Sequence, residues 1–527
     1  MNMTEQVEVK PLAVRMHNIH KRFGTVQAND AVSLSVRAAT VHALVGENGA
    51  GKSTLMSVLY GFYQADEGEI EIEGRPVRIP DAHAAIALGL GMVHQHFMLV
   101  DRLSALDNIL LGAEQGFFLR RAQAMARERL LALMQSSGLV VDLDARVGDL
   151  SVGDRQRLEI LKALYRGARI LILDEPTAVL TPAETEQLFA VLAKLREQGC
   201  TVILITHKLK EVMRLCDQVT VMRAGRVVHE CAIAETTVEQ LAEAMVGRKV
   251  SLGRSEPAEE VTGEIRLVAE GLRFTDAMGC VRLKEVSLSL RAGEIVGVAG
   301  VAGNGQSELL AVLSGLVSPQ AGRLKLGAQT FGVMPGERWL DPRIARQLGL
   351  AHVPEDRHAR AMVMDFPAWE SAVLGYEALP AYSHKGWMRR AAMMAATAAM
   401  MSRFDVRPPL PQLGSSKFSG GNQQKLVLAR EIGQNPVLLL VGQPTRGVDI
   451  GAIEFIHARL RELRDAGCSV LVVSSELDEI LALADRVLVM NAGRITGELP
   501  IEACDEKTLG MLMSETDVAQ VAEEAEA

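Results

Sequence analysis

The sequence predicts an α/β protein built as two tandem copies of one phosphate-loop domain, and three observations carry that reading. The stretch GENGAGKST (Gly46 to Thr54) directly follows the strand-like run VHALV. Gly-x-x-x-x-Gly-Lys-Ser in that position lets successive backbone N–H groups curl around a phosphate at the start of a helix. Further on, Ile170-Leu171-Ile172-Leu173 runs into Asp174-Glu175. Branched apolar residues ending in carboxylates suit a central parallel strand whose C-terminal end faces a ligand. Finally, the same order of signals recurs in the second half at a fixed offset. Ser151 and Ser419, Asp174 and Gly442, Cys200 and Cys468, and His207 and Ser475 are each 268 residues apart. So constant an interval is a duplication.

At 527 residues the chain has room for two or more domains. Lys plus Arg number 56 against 65 Asp plus Glu, a net charge of −9 that does not favour a broad nucleic-acid footprint. The six cysteines are scattered without a Cys-x-x-Cys pair, which suits reduced, mostly buried thiols better than disulfides or zinc. The N-terminal MNMTEQVEVK lacks a signal-peptide pattern, and no stretch approaches 18 consecutive apolar residues.

Taken in order, residues 12 to 45 read as strands leading into the loop, with Phe23 a candidate to stack on a nucleotide base. Thr54 to Tyr60 read as the helix after the loop, its positive end toward the phosphates. A strand pair over Gly68 to Arg78 precedes GMVHQH, where Gln95 ends a strand and offers an amide oxygen to Mg²⁺ or to an attacking water. His94 and His96 have no third ligand nearby in sequence to make a metal site. Residues 101 to 149 read as helical, and Ser151 is placed to cap the helix that opens at LSVGD. Thr201 to Ile205 read as a strand ending at Thr206-His207.

The second half repeats these signals as GVAGNGQSE, HVPEDR, FSGGNQQK and GQPTRGVD. The polar, Gly-, Pro- and Glu-containing stretch after Val250 marks the boundary. The expected division is residues 1–250, a linker over 251–262, a second domain over 263–514 and an acidic tail over 515–527. The run AAMMAATAAMM near residue 391 reads as a helix packing face.

Phosphate loop, Gln95, LSVGD, ILILDEP and ITH in that order resemble the ATP-binding subunits of ATP-binding cassette (ABC) transporters. The resemblance covers both halves. Two cassettes in one chain, with GNGQSE and QPTRG in the second, look like the tandem ATPase subunits of simple-sugar and nucleoside importers, and closer to the nucleoside branch. It implies two cassettes, each with a mixed or parallel sheet core, an antiparallel β subdomain and a helical subdomain. It also implies ATP and Mg²⁺ as ligands, two transmembrane permease partners with a substrate-binding protein or lipoprotein, no nucleic-acid partner, and a peripheral place on the cytoplasmic face of the membrane.

By position, the resemblance assigns phosphate to Gly46, Asn48, Gly49, Gly51, Lys52, Ser53 and Thr54, and Mg²⁺ to Ser53, Gln95 and Asp174. Glu175 would orient and deprotonate the attacking water, and His207 would contact the γ-phosphate. In this family each nucleotide lies between the loop of one cassette and the signature of the other, so the first loop is expected to use Ser419, Gly420, Gly421 and Asp449.

The second half departs where chemistry needs it most. Lys52 becomes Gln306, Asp174-Glu175 becomes Gly442-Gln443, His207 becomes Ser475 and Gln95 becomes Glu355. Gln306 brings no charge, and charge-assisted bonds are about twice as strong as neutral ones. Gly300, Gly303, Gly305 and Ser307 remain, so nucleotide binding there is still expected. The first signature is altered too, with Val152 for a glycine and Asp154 adding negative charge. One hydrolysing site and one binding or regulatory site are therefore expected. The rival from another class, a soluble twin-cassette ATPase acting on ribosomes or nucleic acid, fits the acidic balance and the degenerate second set poorly. A non-hydrolysing, ATP-responsive scaffold fits the complete first set poorly.

Overall fold

The computed structural model describes residues 10–24, 26–94, 97–113, 119–177, 180, 182–249, 263–301, 303–448 and 450–514. The chain divides into two compact units, Met1–Val250 and Ser251–Ala527. The linker 251–262 and tail 515–527 lie outside the described residues.

In the first unit, Leu12–Phe23 and Val26–Arg37 pair antiparallel, and Leu12–Phe23 pairs on its other side with Glu67–Ile72, next to Arg75–Val77. Alternating burial along Val26–Arg37 shows why this sheet is antiparallel with one wet face. The second sheet has six strands in the order Arg226–Ala232, Gln218–Arg223, Val41–Gly46, Thr201–Thr206, Ile170–Asp174 and Leu90–Val93. All of its pairings are parallel except that of the edge strand Arg226–Ala232. Val41–Gly46 and Thr201–Thr206 are buried at every position, as strands covered on both faces must be. The apolar core lies between this sheet, the antiparallel sheet and helix Lys52–Leu59.

The second unit repeats the plan. Its six strands run Leu350–Val353, Leu438–Gly442, Ser469–Ser474, Ile295–Ala299, Arg486–Asn491 and Arg494–Pro500, beside an antiparallel sheet of Val281–Arg291, Ile265–Thr275, Ala321–Leu326 and Gln329–Gly332. A short hairpin, Ser383–His384 with Trp387–Met388, has no counterpart among the described residues of the first unit. Helix Arg390–Arg403 buries Met393, Thr397 and Met401, so the methionine run is a packing face.

A repeated brace holds the root of each loop-bearing strand. Asp217 accepts from the Val41 N–H at 2.8 Å and pairs with Arg196 at 3.2 Å. Asp485 accepts from the Ile295 N–H at 2.7 Å and pairs with Arg464 at 3.0 Å. Both Arg and both Asp obey the 268-residue interval, so the duplication extends to the strand anchors. Cys200 and Cys468 likewise occupy one repeated strand-start position, where burial pushes each thiol up to about 12. All six cysteines are free thiols.

Two expectations are corrected. The helix after the first loop spans Lys52–Leu59 rather than Thr54 to Tyr60, because Gly51, in the left-handed region at φ 95°, is its cap. Residues 101 to 149 are not continuously helical. Ser104 caps Ala105–Leu110, Gly112 and Gly138 take positive φ, and after Leu119–Ser137 the chain is irregular up to the short turn Val147–Asp149. Ser151 does cap the next helix, Val152–Tyr165, accepting from the Asp154 N–H.

Candidate functional site

The first loop is shaped by contacts that exclude side chains. A Cβ on Gly46 would lie 2.3 Å from the Met222 carbonyl oxygen, and one on Gly51 would lie 2.3 Å from that of Ala28. Glycine is therefore required for the backbone to pass. Lys52 is buried and donates from Nζ to the carbonyls of Gly46 (2.7 Å) and Glu47 (3.0 Å), closing the loop on itself. Asn48 and Gly49 are exposed on the loop, and Ser53 and Thr54 lie in the first turn of helix Lys52–Leu59.

The neighbouring strand end supplies the acids. Asp174 faces Ser53, whose side chain favours the charged carboxylate. Burial, helped by the adjacent Glu175 charge, holds the Asp174 carboxyl above its usual range despite Ser53 and Lys52. Glu175 sits at φ 47°, and its N–H bonds the Ile205 carbonyl at 2.9 Å. That turn aims its carboxylate at His207, with Nδ1 to Oε1 at 3.0 Å. Burial alone would raise the Glu175 carboxyl, but His207 foremost, with Lys52 and Lys208, outweighs it and holds the group below its usual range. An ionised carboxylate at the end of a buried strand, oriented by a histidine, is equipped to take a proton from water. The Ser53 hydroxyl, the Asp174 carboxylate and the Lys52 ammonium beside a glycine-lined loop fit a phosphate-bound Mg²⁺, which typically takes one or two protein oxygens with phosphate and water.

Phe23 is 42% exposed, with its ring 5.1 Å from Tyr63, edge to face, and 5.6 Å from the Lys21 ammonium. It presents surface available for stacking. His94 packs its ring on Phe62 at 5.5 Å. Gln95, His96 and Asp449 lie outside the described residues.

The second loop keeps the shape without the charges. Gly303 and Gly305 take φ 94° and 99°, and a Cβ on Gly300 would meet the Met490 carbonyl oxygen at 2.7 Å. Gln306, as buried as Lys52, donates to the Val301 carbonyl at 3.1 Å. Ser307 donates to Glu355 at 2.6 Å. Gln443 repeats the Glu175 turn at φ 48°, and its side-chain oxygen accepts from the Ser475 N–H (3.3 Å) and hydroxyl (3.1 Å). The geometry of the acid–histidine pair survives in two residues that cannot act as a base.

The two signatures differ in where a hydroxyl proton goes. Ser151 donates its proton to the Asp154 carboxylate at 2.8 Å, and Asp154 also pairs with Arg157 at 2.7 Å. Ser419 instead accepts from the Asn422 side-chain amide at 2.8 Å while capping helix Gly420–Ile432. Its own proton remains for another acceptor. Gly420 is half-buried beside buried Gly421, and a Cβ on it would lie 2.7 Å from the Arg357 Nη2.

That arginine was missed in the sequence. Arg357 donates to Gln423 at 3.4 Å and to the Arg446 carbonyl at 3.1 Å, and His358 Nε2 lies 2.9 Å from the same Gln423 oxygen. The segment after Glu355 is thereby tied to the signature helix. The corresponding first-half residues are Phe97 and Arg155, which cannot make this link. Aligning HVPEDRH with VHQHFM was the one available signal.

The model of the family described as ABC transporter matches residues 29–178 and 283–446, one match in each half. The nucleoside import ATP-binding protein NupA of Lactococcus lactis subsp. cremoris is 44% identical over 500 residues, covering 95% of this chain and 97% of the relative. The guanosine import ATP-binding protein NupO of Bacillus subtilis is also 44% identical, with the same coverages. A ribose import ATP-binding protein, RbsA of Chromobacterium violaceum, is 38% identical over 94% of this chain and 97% of its own length. Among solved structures, an archaeal ribosome recycling factor, aABCE1, in complex with a ribosomal stalk protein aligns over 94% of this chain and 92% of its own with a TM-score of 0.62. At 17% identity that likeness speaks for the twin-cassette fold alone. With both matches falling on the loop, strand-end acids and signatures described above, the chain belongs to the ABC transporter family, as an ATPase carrying two tandem cassettes.

Proposed function

We propose that this chain is the ATP-hydrolysing subunit of an importer for a nucleoside, with a simple sugar as the other cargo class. It works at the cytoplasmic face of the cell membrane with two transmembrane permease subunits fed by a substrate-binding protein or lipoprotein. Among the described residues no helix is long and apolar enough to cross a membrane, so the translocation path belongs to those partners in this reading. The nucleoside preference is supported by the 44% identity to relatives named for nucleoside and guanosine import, against 38% for the ribose relative.

Residues 1–250 form the hydrolysing cassette, 251–262 a linker, 263–514 the degenerate cassette and 515–527 a tail. Gly46, Asn48, Gly49, Gly51, Ser53 and Thr54 cradle the phosphates, Phe23 stacks on the base, and Lys52 pairs with the outer phosphates. Ser53, Gln95 and Asp174 hold Mg²⁺, which when bound neutralises charge on the phosphate oxygens. Glu175 positions the water and receives its proton, while His207 holds the Glu175 carboxylate through Nδ1 and keeps Nε2 for the γ-phosphate. Ser419, Gly420, Gly421 and Asp449 are the nucleotide-binding residues of the second signature in this reading, and Gly300, Gly303, Gly305 and Ser307 bind the second nucleotide. The observation that carries the asymmetry is the pairing of Glu175 with His207 in one half and of Gln443 with Ser475 in the same geometry in the other.

Replacing Glu175→Gln is expected to lower steady-state ATPase by about 10²- to 10⁴-fold, the worth of a positioned proton acceptor. Gln443→Ala should retain most of the activity, and equal losses would refute the division of labour. His207→Ala leaves burial of Glu175 less opposed, so its pKa rises. The base form is then lost at higher pH, and the acid limb of the ATPase profile should move upward in pH, whereas an unmoved limb contradicts the assigned pairing. The cargo reading is checked by reconstituting the chain with its permeases in vesicles. Binding protein loaded with nucleoside should stimulate ATPase; stimulation by pentose or hexose alone would reassign the cargo to sugars.

A further inference from the structure

The Glu175–His207 pair is bracketed by a second set of polar contacts. Thr177, two residues past Glu175 and buried, donates its hydroxyl proton to Glu211 Oε2 at 2.7 Å. Glu211 stands in the first turn of helix Leu209–Leu215, which begins just after His207 and Lys208. Lys208 Nζ lies 3.6 Å from Glu211 Oε1 and donates to the Thr177 carbonyl at 3.3 Å. The segment that follows Glu175 is thus tied by charge-assisted bonds to the segment that follows His207. The second cassette keeps the threonine as Thr445 and the acid as Glu479, each at the 268-residue interval, but Lys208 becomes Glu476. There the tie is gone. Glu479 is 5% exposed, and neither of its carboxylate oxygens has a hydrogen-bond partner among the described residues. It faces His457 Nε2 at 3.5 Å, where the first cassette has Phe189.

The left-handed turn itself does not need this tie, since Gln443 keeps φ 48° without it. What separates the two turns is charge. Glu175 is a carboxylate beside a loop shaped for phosphates, and like charges at close range repel. Gln443 is neutral and meets no such force. We propose that Thr177, Glu211 and Lys208 form a positioning clamp, which holds the Glu175 turn against that repulsion so that its carboxylate stays on the attacking water while nucleotide is bound. This rests on the reading of Glu175 as the proton acceptor. Thr177 is pinned at its hydroxyl and at its carbonyl, so the chain two residues from Glu175 is fixed at both groups. Lys208 supplies the charge that lets Glu211 remain a carboxylate there, because an unpaired buried acid is costly. Glu476 in that place brings a second negative charge instead, and the cassette that carries it has no carboxylate at position 443 to hold.

The test measures kcat and KM for ATP in the full chain reconstituted with its permeases. Thr177→Val, nearly isosteric but without the hydroxyl, should lower kcat about ten- to a hundredfold with KM unchanged. Thr177→Ser, which restores the hydroxyl, should recover most of the rate. Because the clamp acts through Glu175, adding Thr177→Val to Glu175→Gln should lower the rate no further. Circular dichroism shows whether Thr177→Val is folded. If it is not, Glu211→Gln takes its place in the same cycle; it keeps an acceptor for Thr177 but releases Lys208, and a several-fold loss of kcat is expected. An unchanged kcat, a loss that Thr177→Ser does not recover, or losses that multiply in the double variant would each overturn the clamp and leave the Glu175 reading standing. Undiminished ATPase in Glu175→Gln would overturn that reading and this proposal with it.

Discussion

The candidate site of the first cassette depends on the register between strands Ile170–Asp174 and Thr201–Thr206. Asp174 stands opposite Ile205, and the next residue turns into the left-handed region so that its N–H returns to the Ile205 carbonyl. A non-glycine residue held there costs roughly 1 kcal/mol or more, a cost offset by the burial of Ile170 to Leu173 and of Thr201–Thr206 around it. The return is that residue 175 presents its carboxylate to residue 207 beside the loop. The second cassette keeps the same register, with Gly442 opposite Val473 and Gln443 bonded to the Val473 carbonyl. Divergence between the halves therefore lies in side chains placed on a common frame.

The substitutions form a consistent set. Glu175 stays ionised because His207, Lys52 and Lys208 together outweigh its burial. Gln443 has no proton to manage, and Ser475 satisfies it with two neutral hydrogen bonds. At the signatures, Asp154 draws the Ser151 hydroxyl to itself, whereas Asn422 donates to Ser419 and leaves that hydroxyl able to donate outward. A hydroxyl whose proton is given to a carboxylate has none left for a phosphate, whereas one that only accepts keeps its own.

Much of this was legible in the sequence because phosphate chemistry demands particular residues at fixed spacing. The loop, Asp174-Glu175, His207 and the 268-residue duplication were all readable, and so was the cap at Ser151. The helix start at Lys52 was misplaced because a left-handed Gly51 serves as cap without any side-chain signal. The region of 101 to 149 was read as continuous helix because Leu119–Ser137 has strong apolar periodicity while its bounding glycines are easily passed over. The Arg357–Gln423 link and the Ser307–Glu355 hydrogen bond depend on side-chain directions between segments far apart in the chain. No local pattern encodes those.

The central claim is that the chain hydrolyses at one of two nucleotide sites. Its most direct test is a count: the full chain with its permeases is mixed with radiolabelled ATP under single-turnover conditions, quenched, and the retained nucleotides separated. One ADP and one intact ATP per chain is the predicted result. Two ADP per chain, formed at the same rate, would contradict the account.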